Sequence, residues 1–209
     1  MNNFHTLPND SKKVIIEQTA LKQGLSKQIV EKDLWVSTIL EIVFTLPFAD
    51  KLVFKGGTSL SKVWGLIERF SEDIDLAVDR SLFGFEGDLT TKQIKKLRKA
   101  SSLFVSNEFY IELKAAITKF NLEKFIELEV QPDGEGDKTY PEPRQIFIKY
   151  QSLFEAELSY VKPQIILEIG ARSLFEPTEK ARINSIVATE FPNLQTSVVS
   201  TDITTAVAA

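Results

Sequence analysis

The chain has 209 residues, 43% hydrophobic and 26% charged, enough apolar material for a core and unlike a disordered or fibrous chain. Its 25 Lys and Arg against 29 Asp and Glu leave a net charge of −4, which excludes a uniformly basic nucleic-acid coat but not a local basic patch. With no cysteine and His5 as the only histidine, disulfides, thiolate or His-cluster metal sites and a Cys nucleophile are excluded; chemistry falls to carboxylates, hydroxyls, Lys and Arg.

The N-terminal residues lack a basic segment followed by an apolar one, and the apolar stretch Leu34 to Phe48 is broken by Glu41 and Pro47 and too short for a bilayer, so a cytoplasmic protein without a membrane role is expected. Asp10 or Ser11 is expected to cap a helix that runs through Val14, Ile16 and Leu21 and stops at Gly24. Ser26 opens a second helix, with Ile29, Val30, Leu34, Trp35, Ile39, Leu40 and Val43 at helical spacing until Pro47. Leu52 to Phe54 reads as a strand, followed by Lys55-Gly56-Gly57-Thr58-Ser59 and a helical stretch from Leu60 to Ile67. Ile74, Leu76 and Val78 alternate with Asp73, Asp75 and Asp79, the period of a half-buried strand. A loop over residues 80–90 precedes a long helix from Thr91 to about Lys119, and strands are expected at Leu122 to Gln131, Gln145 to Tyr150 and Gln164 to Ile169. No repeat or dividing linker is visible. The chain reads as one domain over 1–209, with N-terminal helices at 10–47 and a core at about 50–190, of α/β (α+β) class with a mixed central sheet and flanking helices.

The informative stretch is Lys55 to Leu76. Gly56 and Gly57 let backbone amides approach a ligand without Cβ interference, and Thr58 and Ser59 add hydroxyl donors, a set that suits a triphosphate. Sixteen positions after Gly57 comes Asp73-Ile74-Asp75, whose carboxylates share one strand face about 6–7 Å apart and suit Mg²⁺. Singly, the first motif can be a plain turn and the second a solvated face. In this order they form the minimal layout of polymerase-β-type nucleotidyltransferases. The cluster Lys92, Lys95, Lys96, Arg98 and Lys99 reads either as an RNA backbone track or as a solvated helix face, and Trp35 and Trp64 read as core.

Three blocks, Glu31-Lys32-Asp33-Leu34-Trp35-Val36, Phe54 to Lys62 and Arg69-Phe70-Ser71-Glu72-Asp73-Ile74-Asp75-Leu76, closely resemble the AbiEii/AbiGii toxin family, nucleotidyltransferase-like toxins of abortive-infection and toxin–antitoxin systems related to the MenT toxins. Tyr150-Gln151-Ser152 and Leu167-Glu168-Ile169-Gly170-Ala171-Arg172-Ser173 look like the family's later strands. The resemblance implies a polymerase-β-type nucleotidyltransferase fold and Mg²⁺-dependent transfer (one or two ions) of a nucleotide from an NTP to an acceptor, the 3′ end of tRNA or another RNA, with a cognate antitoxin as a further partner. It assigns Gly56, Gly57, Thr58 and Ser59, with Lys55, Arg69 and Ser71, to nucleotide binding. Asp73 and Asp75 become metal ligands and Glu168 the third catalytic carboxylate. For Arg69 an ion pair with Glu72 or Glu68 is the other reading; Lys62 is a second candidate for a phosphate contact. The family's later Thr-Phe-x-Glu-Lys-like block, with its lysine and its helical C-terminal part, finds no counterpart up to Ala209. A truncated or degenerate nucleotide-binding module, or a transferase acting on protein hydroxyls, are therefore the alternatives.

Overall fold

Alternation along four strands decides how the chain is layered. In the computed structural model, which describes residues 4–66, 73–154, 161–171, 177–192 and 202–206, every second residue is buried in β1 (Leu52–Lys55), β2 (Ile74–Val78), β4 (Arg144–Tyr150) and β5 (Gln164–Gly170). Phe54, Ile74, Leu76, Ile146, Ile148, Ile165, Leu167 and Ile169 all point to one side, each stabilising the fold by roughly 1.5–3 kcal/mol. Because strand side chains alternate, Lys55, Asp75, Gln145 and Glu168 point to the other.

The strands form a seven-stranded mixed sheet in the order β3-β4-β5-β2-β1-β7-β6, completed by β3 (Ile126–Val130), β6 (Thr178–Arg182) and β7 (Asp202–Ala206). β1 and β2 pair antiparallel, while β2 runs parallel to β5 and β1 parallel to β7. The apolar face is covered by α2 (Lys27–Val43), α4 (Thr91–Phe104) and α5 (Tyr110–Lys119), whose Ile39, Val43, Leu97, Phe104, Leu113 and Ile117 join the strand residues in one core. A π-helical stretch, Val105–Phe109, links α4 and α5, so residues 91–119 are one helical run as expected. A smaller cluster, including Ile16, Val30, Leu34 and Val187, packs α1 (Asn9–Gln23) and α6 (Ile186–Glu190) against α2. Among the described residues no helix is long and apolar enough to cross a membrane.

The departures from expectation are local. Pro8, not Asp10 or Ser11, occupies the N-cap of α1, and Asp10 lies in the first turn, where its charge favours the helix dipole. Gly24 ends that helix in the left-handed conformation (φ 66°), as its position suggested. Ser26 caps α2, accepting from the Ile29 amide at 3.3 Å, but the helix stops at Val43, before Pro47. The helix after β1, α3 (Gly56–Lys62), begins at the glycines and is shorter than expected. The 80–90 loop contains a helical turn over Arg80–Phe83, and β6, α6 and β7 were not anticipated.

Candidate active site

The register across the polar sheet face builds the site. Lys55 of β1 stands opposite Asp75 of β2, Asp75 opposite Glu168 of β5, and Glu168 opposite Gln145 of β4, so four polar residues form one row across four adjacent strands. Parallel pairing of β2 with β5 sets two carboxylates side by side, where like charges repel. Burial raises the pKa of Asp75; Glu168 and then Asp73 push it further, and Lys55 pulls part of the way back. Glu168 is held differently: Gln145 Nε2 donates to its Oε1 at 2.6 Å, while the Gln145 amide donates to Gln131 Oε1 at 3.1 Å. One oxygen of Glu168 is therefore oriented by a side-chain amide. Sequence reasoning missed Gln145; only knowledge of the β4–β5 register would have found it.

The glycine turn is pressed onto the same row. Gly56 has φ 75°, and a Cβ there would lie 2.0 Å from Asp75 Oδ2, so both conformation and space demand glycine. The close approach of backbone to carboxylate that the two glycines suggested is present, with Asp75 as the near neighbour. The two hydroxyls aimed at a triphosphate are engaged inside the protein. Thr58, 1% exposed, donates to the Asp73 carbonyl and so ties α3 to the start of β2. Ser59, 2% exposed, bonds Thr205 Oγ1 at 2.7 Å, and Thr205 in turn donates to the Phe54 carbonyl at 3.0 Å. Trp64, half-buried, reaches the same strand through its indole N–H to the Ala206 carbonyl at 3.2 Å. These residues fix the turn from behind.

Lys55, Asp75 and Glu168, with Glu142, Pro143 and Gly170, line a cleft of about 410 Å³, the size range of small-molecule sites. Glu142 went unnoticed in the sequence. It comes from the segment before β4, accepts from the Ala171 amide, and lies so close to Gly170 that a Cβ there would be 2.8 Å from its Oε1. Lys62 is not among the cleft residues; it is ion-paired with Asp33 of α2, with side chains 9% and 5% exposed. Asp33 also accepts from the Ile186 amide at 2.7 Å, and Glu31 accepts from Ser152 Oγ and the Leu153 amide at 2.6 and 2.7 Å. The Glu31-Lys32-Asp33 block thus fastens α2 to α3, α6 and the segment after β4. His5 is buried, its Nε2 3.1 Å from Thr38 Oγ1 and its ring tilted against that of Trp35 at 4.4 Å, and burial pulls its pKa down to about 3, so it stays neutral and structural. Arg69 and Ser71, and with them Glu68 and Glu72, lie outside the described residues.

Asp73, Asp75 and Glu168 offer the hard oxygen donors that Mg²⁺ prefers, although among the described residues no three carboxylate or imidazole side chains are gathered closely enough to form a ready-made ion cage. Mg²⁺ in phosphate chemistry is commonly held by one or two carboxylates and the substrate's own phosphates, and the repulsion around Asp75 is what a cation relieves. The residues present therefore fit that group.

A mixed sheet in which a glycine turn after β1 meets an Asp-x-Asp strand, with a further carboxylate on the parallel neighbour, defines a nucleotidyltransferase-like fold. A family model described as nucleotidyl transferase AbiEii toxin, type IV TA system, matches residues 38–206, and the chain belongs to that family. No match to the chain is found among curated proteins.

Proposed function

We propose that the chain is a toxin that moves a nucleotide from an NTP to the 3′ end of a tRNA, using Mg²⁺. The observation behind this reading is the in-register row Lys55–Asp75–Glu168, with the Gly56 backbone against Asp75. The turn at Gly56 and Gly57 presents backbone amides to the triphosphate, while Thr58 and Ser59 hold that turn in place from within. Lys55, at the end of β1, contributes positive charge beside it, and Arg69 and Ser71 complete the nucleotide-binding set.

Asp73, Asp75 and Glu168 would hold one or two Mg²⁺ ions. Bound Mg²⁺ supplies charge neutralisation on the phosphates and a lowered hydroxyl pKa. Glu168, with Oε1 engaged by Gln145, turns its second oxygen to the acceptor hydroxyl and takes its proton. The acceptor oxygen then bonds to the α-phosphorus, the bond to the β-phosphate's bridging oxygen breaks, and pyrophosphate leaves in line. The site's task is positioning and electrostatics rather than covalent catalysis.

The test incubates the protein with Mg²⁺, each α-labelled NTP and total tRNA, beside Asp75→Ala. Label in tRNA that the variant abolishes is the expected result. Label confined to protein would replace the acceptor, and no label anywhere would overturn transfer by this chain. In cells, the family's type IV TA description supports a cognate antitoxin as a further partner.

A further inference from the structure

On α4 the charges sit where helix electrostatics disfavours them. Lys92, Lys95, Lys96 and Lys99 are all exposed, and their spacing makes four like-charged pairs at i,i+3 or i,i+4: 92/95, 92/96, 95/99 and 96/99. Each such pair destabilises an isolated helix. The cluster also begins in the first turn, at the positive end of the helix dipole, and that turn holds no acidic residue; even the capping box with Thr90 uses neutral Gln93. Among the described residues none of Lys92, Lys95 and Lys96 has an acidic partner within ion-pair distance. In a chain of net charge −4, a basic strip without ion-pair partners among the described residues is a segregated field that a polyanion would neutralise.

The second half of α4 adjoins the cleft through one segment, touched by Arg98, Lys99 and Ser101. Arg98 Nε donates to the Tyr140 carbonyl at 2.5 Å, Lys99 Nζ lies 5.2 Å from the Tyr140 ring, and Ser101 Oγ donates to Glu142 at 3.4 Å. Glu142 and Pro143 line the cleft that contains Asp75 and Glu168. The segment 140–143 therefore has α4 on one side and the cleft on the other.

We infer that the exposed face of α4 is the docking track for the acceptor RNA, with Lys92, Lys95 and Lys96 contacting its phosphodiester backbone so that the strand crosses 140–143 to reach the cleft. This rests on the proposed transfer reaction for the identity of the polyanion. Backbone contact of this kind is independent of sequence and sensitive to salt.

The experiment measures binding of a tRNA transcript and of a short single-stranded RNA by fluorescence anisotropy over a salt series. It compares the wild type, the triple variant Lys92→Gln/Lys95→Gln/Lys96→Gln, and a control triple variant Lys114→Gln/Lys119→Gln/Lys124→Gln. The α4 variant is expected to bind tRNA at least tenfold more weakly and to lose about two units of the salt slope, at about 0.7 per phosphate contact for single strands. Its melting temperature should be unchanged or higher, because repulsive pairs are removed; the control should bind as the wild type does. Unchanged affinity and slope in the α4 variant, or an equal loss in the control, overturns the track. Labelling of tRNA in the same samples separates the two claims. A wild type that binds through α4 without labelling RNA retires the transfer reading and keeps the surface. Equal labelling by wild type and α4 variant at subsaturating tRNA keeps transfer and retires the surface.

Discussion

Two groups of carboxylates in this protein are treated in opposite ways. Glu31 and Asp33 on α2 are 2% and 4% exposed, and both are satisfied: Asp33 pairs with Lys62 and accepts from the Ile186 amide, and Glu31 accepts two hydrogen bonds from the segment after β4. Burial raises the pKa of Glu31 and Asp75 alike, but Ser152, Leu153 and Lys12 draw Glu31 back down, whereas the half-buried Asp75, lining a cleft with Glu168, is driven further up by Glu168 and Asp73 with Lys55 opposing them. The first group spends its charge on holding helices together. The second keeps its charge in reserve, at a cost to the folded chain that a bound cation would remove. Acidic residues in a sequence therefore divide by what surrounds them: satisfied ones are structural, and crowded ones are candidates for chemistry.

The sharpest way to break that contrast is to exchange the consequences. Asp75→Ala should lower nucleotidyl transfer by about a thousandfold or more, roughly 4 kcal/mol of transition-state stabilisation, while far-ultraviolet circular dichroism stays that of the wild type. Asp33→Ala should do the reverse in character: Lys62 is left buried without its partner, stability falls by about 3 kcal/mol or more, and the melting temperature drops by roughly 10 °C in calorimetry. If Asp33→Ala melts like the wild type, the structural role of the α2 block is mistaken.

Smaller effects are expected from the groups that support these carboxylates. Gln145→Leu removes the amide that orients Glu168, so the Mg²⁺ concentration needed for half-maximal transfer should rise by about 10- to 100-fold with little change in melting temperature. An unchanged Mg²⁺ dependence would detach Gln145 from the site. Glu41 on α2 provides a further comparison, since its Oε2 is buried without a hydrogen-bond partner among the described residues and burial pushes its pKa up to about 7. A carboxyl raised in the folded state favours folding when protonated. Its contribution is complete below the unfolded value near 4.5 and is lost as pH rises through about 7. Glu41→Gln should accordingly melt higher than the wild type at pH 8 and close to it at pH 4; the same difference at both would refute the assignment.

Much of this was legible in the sequence, for identifiable reasons. Period-two alternation at Ile74, Leu76 and Val78 and at Ile165, Leu167 and Ile169 fixed which side of two strands would be buried, and so put Asp75 and Glu168 on the opposite side. The Asp-x-Asp and glycine motifs are local, and local patterns survive without knowledge of topology. Register does not. That Gln145 would face Glu168 depends on which residue of β4 pairs with which of β5, and that Glu142 would enter the cleft depends on a segment joining two strands. β7 was invisible because Thr204 and Thr205 are not an apolar run; Thr205 is buried through hydrogen bonds to Ser59 and Phe54, and a chain partner 146 positions away leaves no local trace. The inward engagement of the Thr58 and Ser59 hydroxyls leaves no trace in the glycine motif either, since their partners are the Asp73 carbonyl just ahead of β2 and Thr205 of β7.

The proposed function stands on the crowded carboxylates around Asp75 being the cation and nucleotide site. Its most direct test is the melting temperature of the wild type and Asp75→Asn, each alone and with saturating MgNTP, at pH 7.5. A crossing is expected. Without ligand Asp75→Asn melts higher, because a buried, repelled charge is gone, while MgNTP raises the wild type and leaves the variant where it was. Equal MgNTP shifts in both proteins, or a variant that melts lower without ligand, would contradict it.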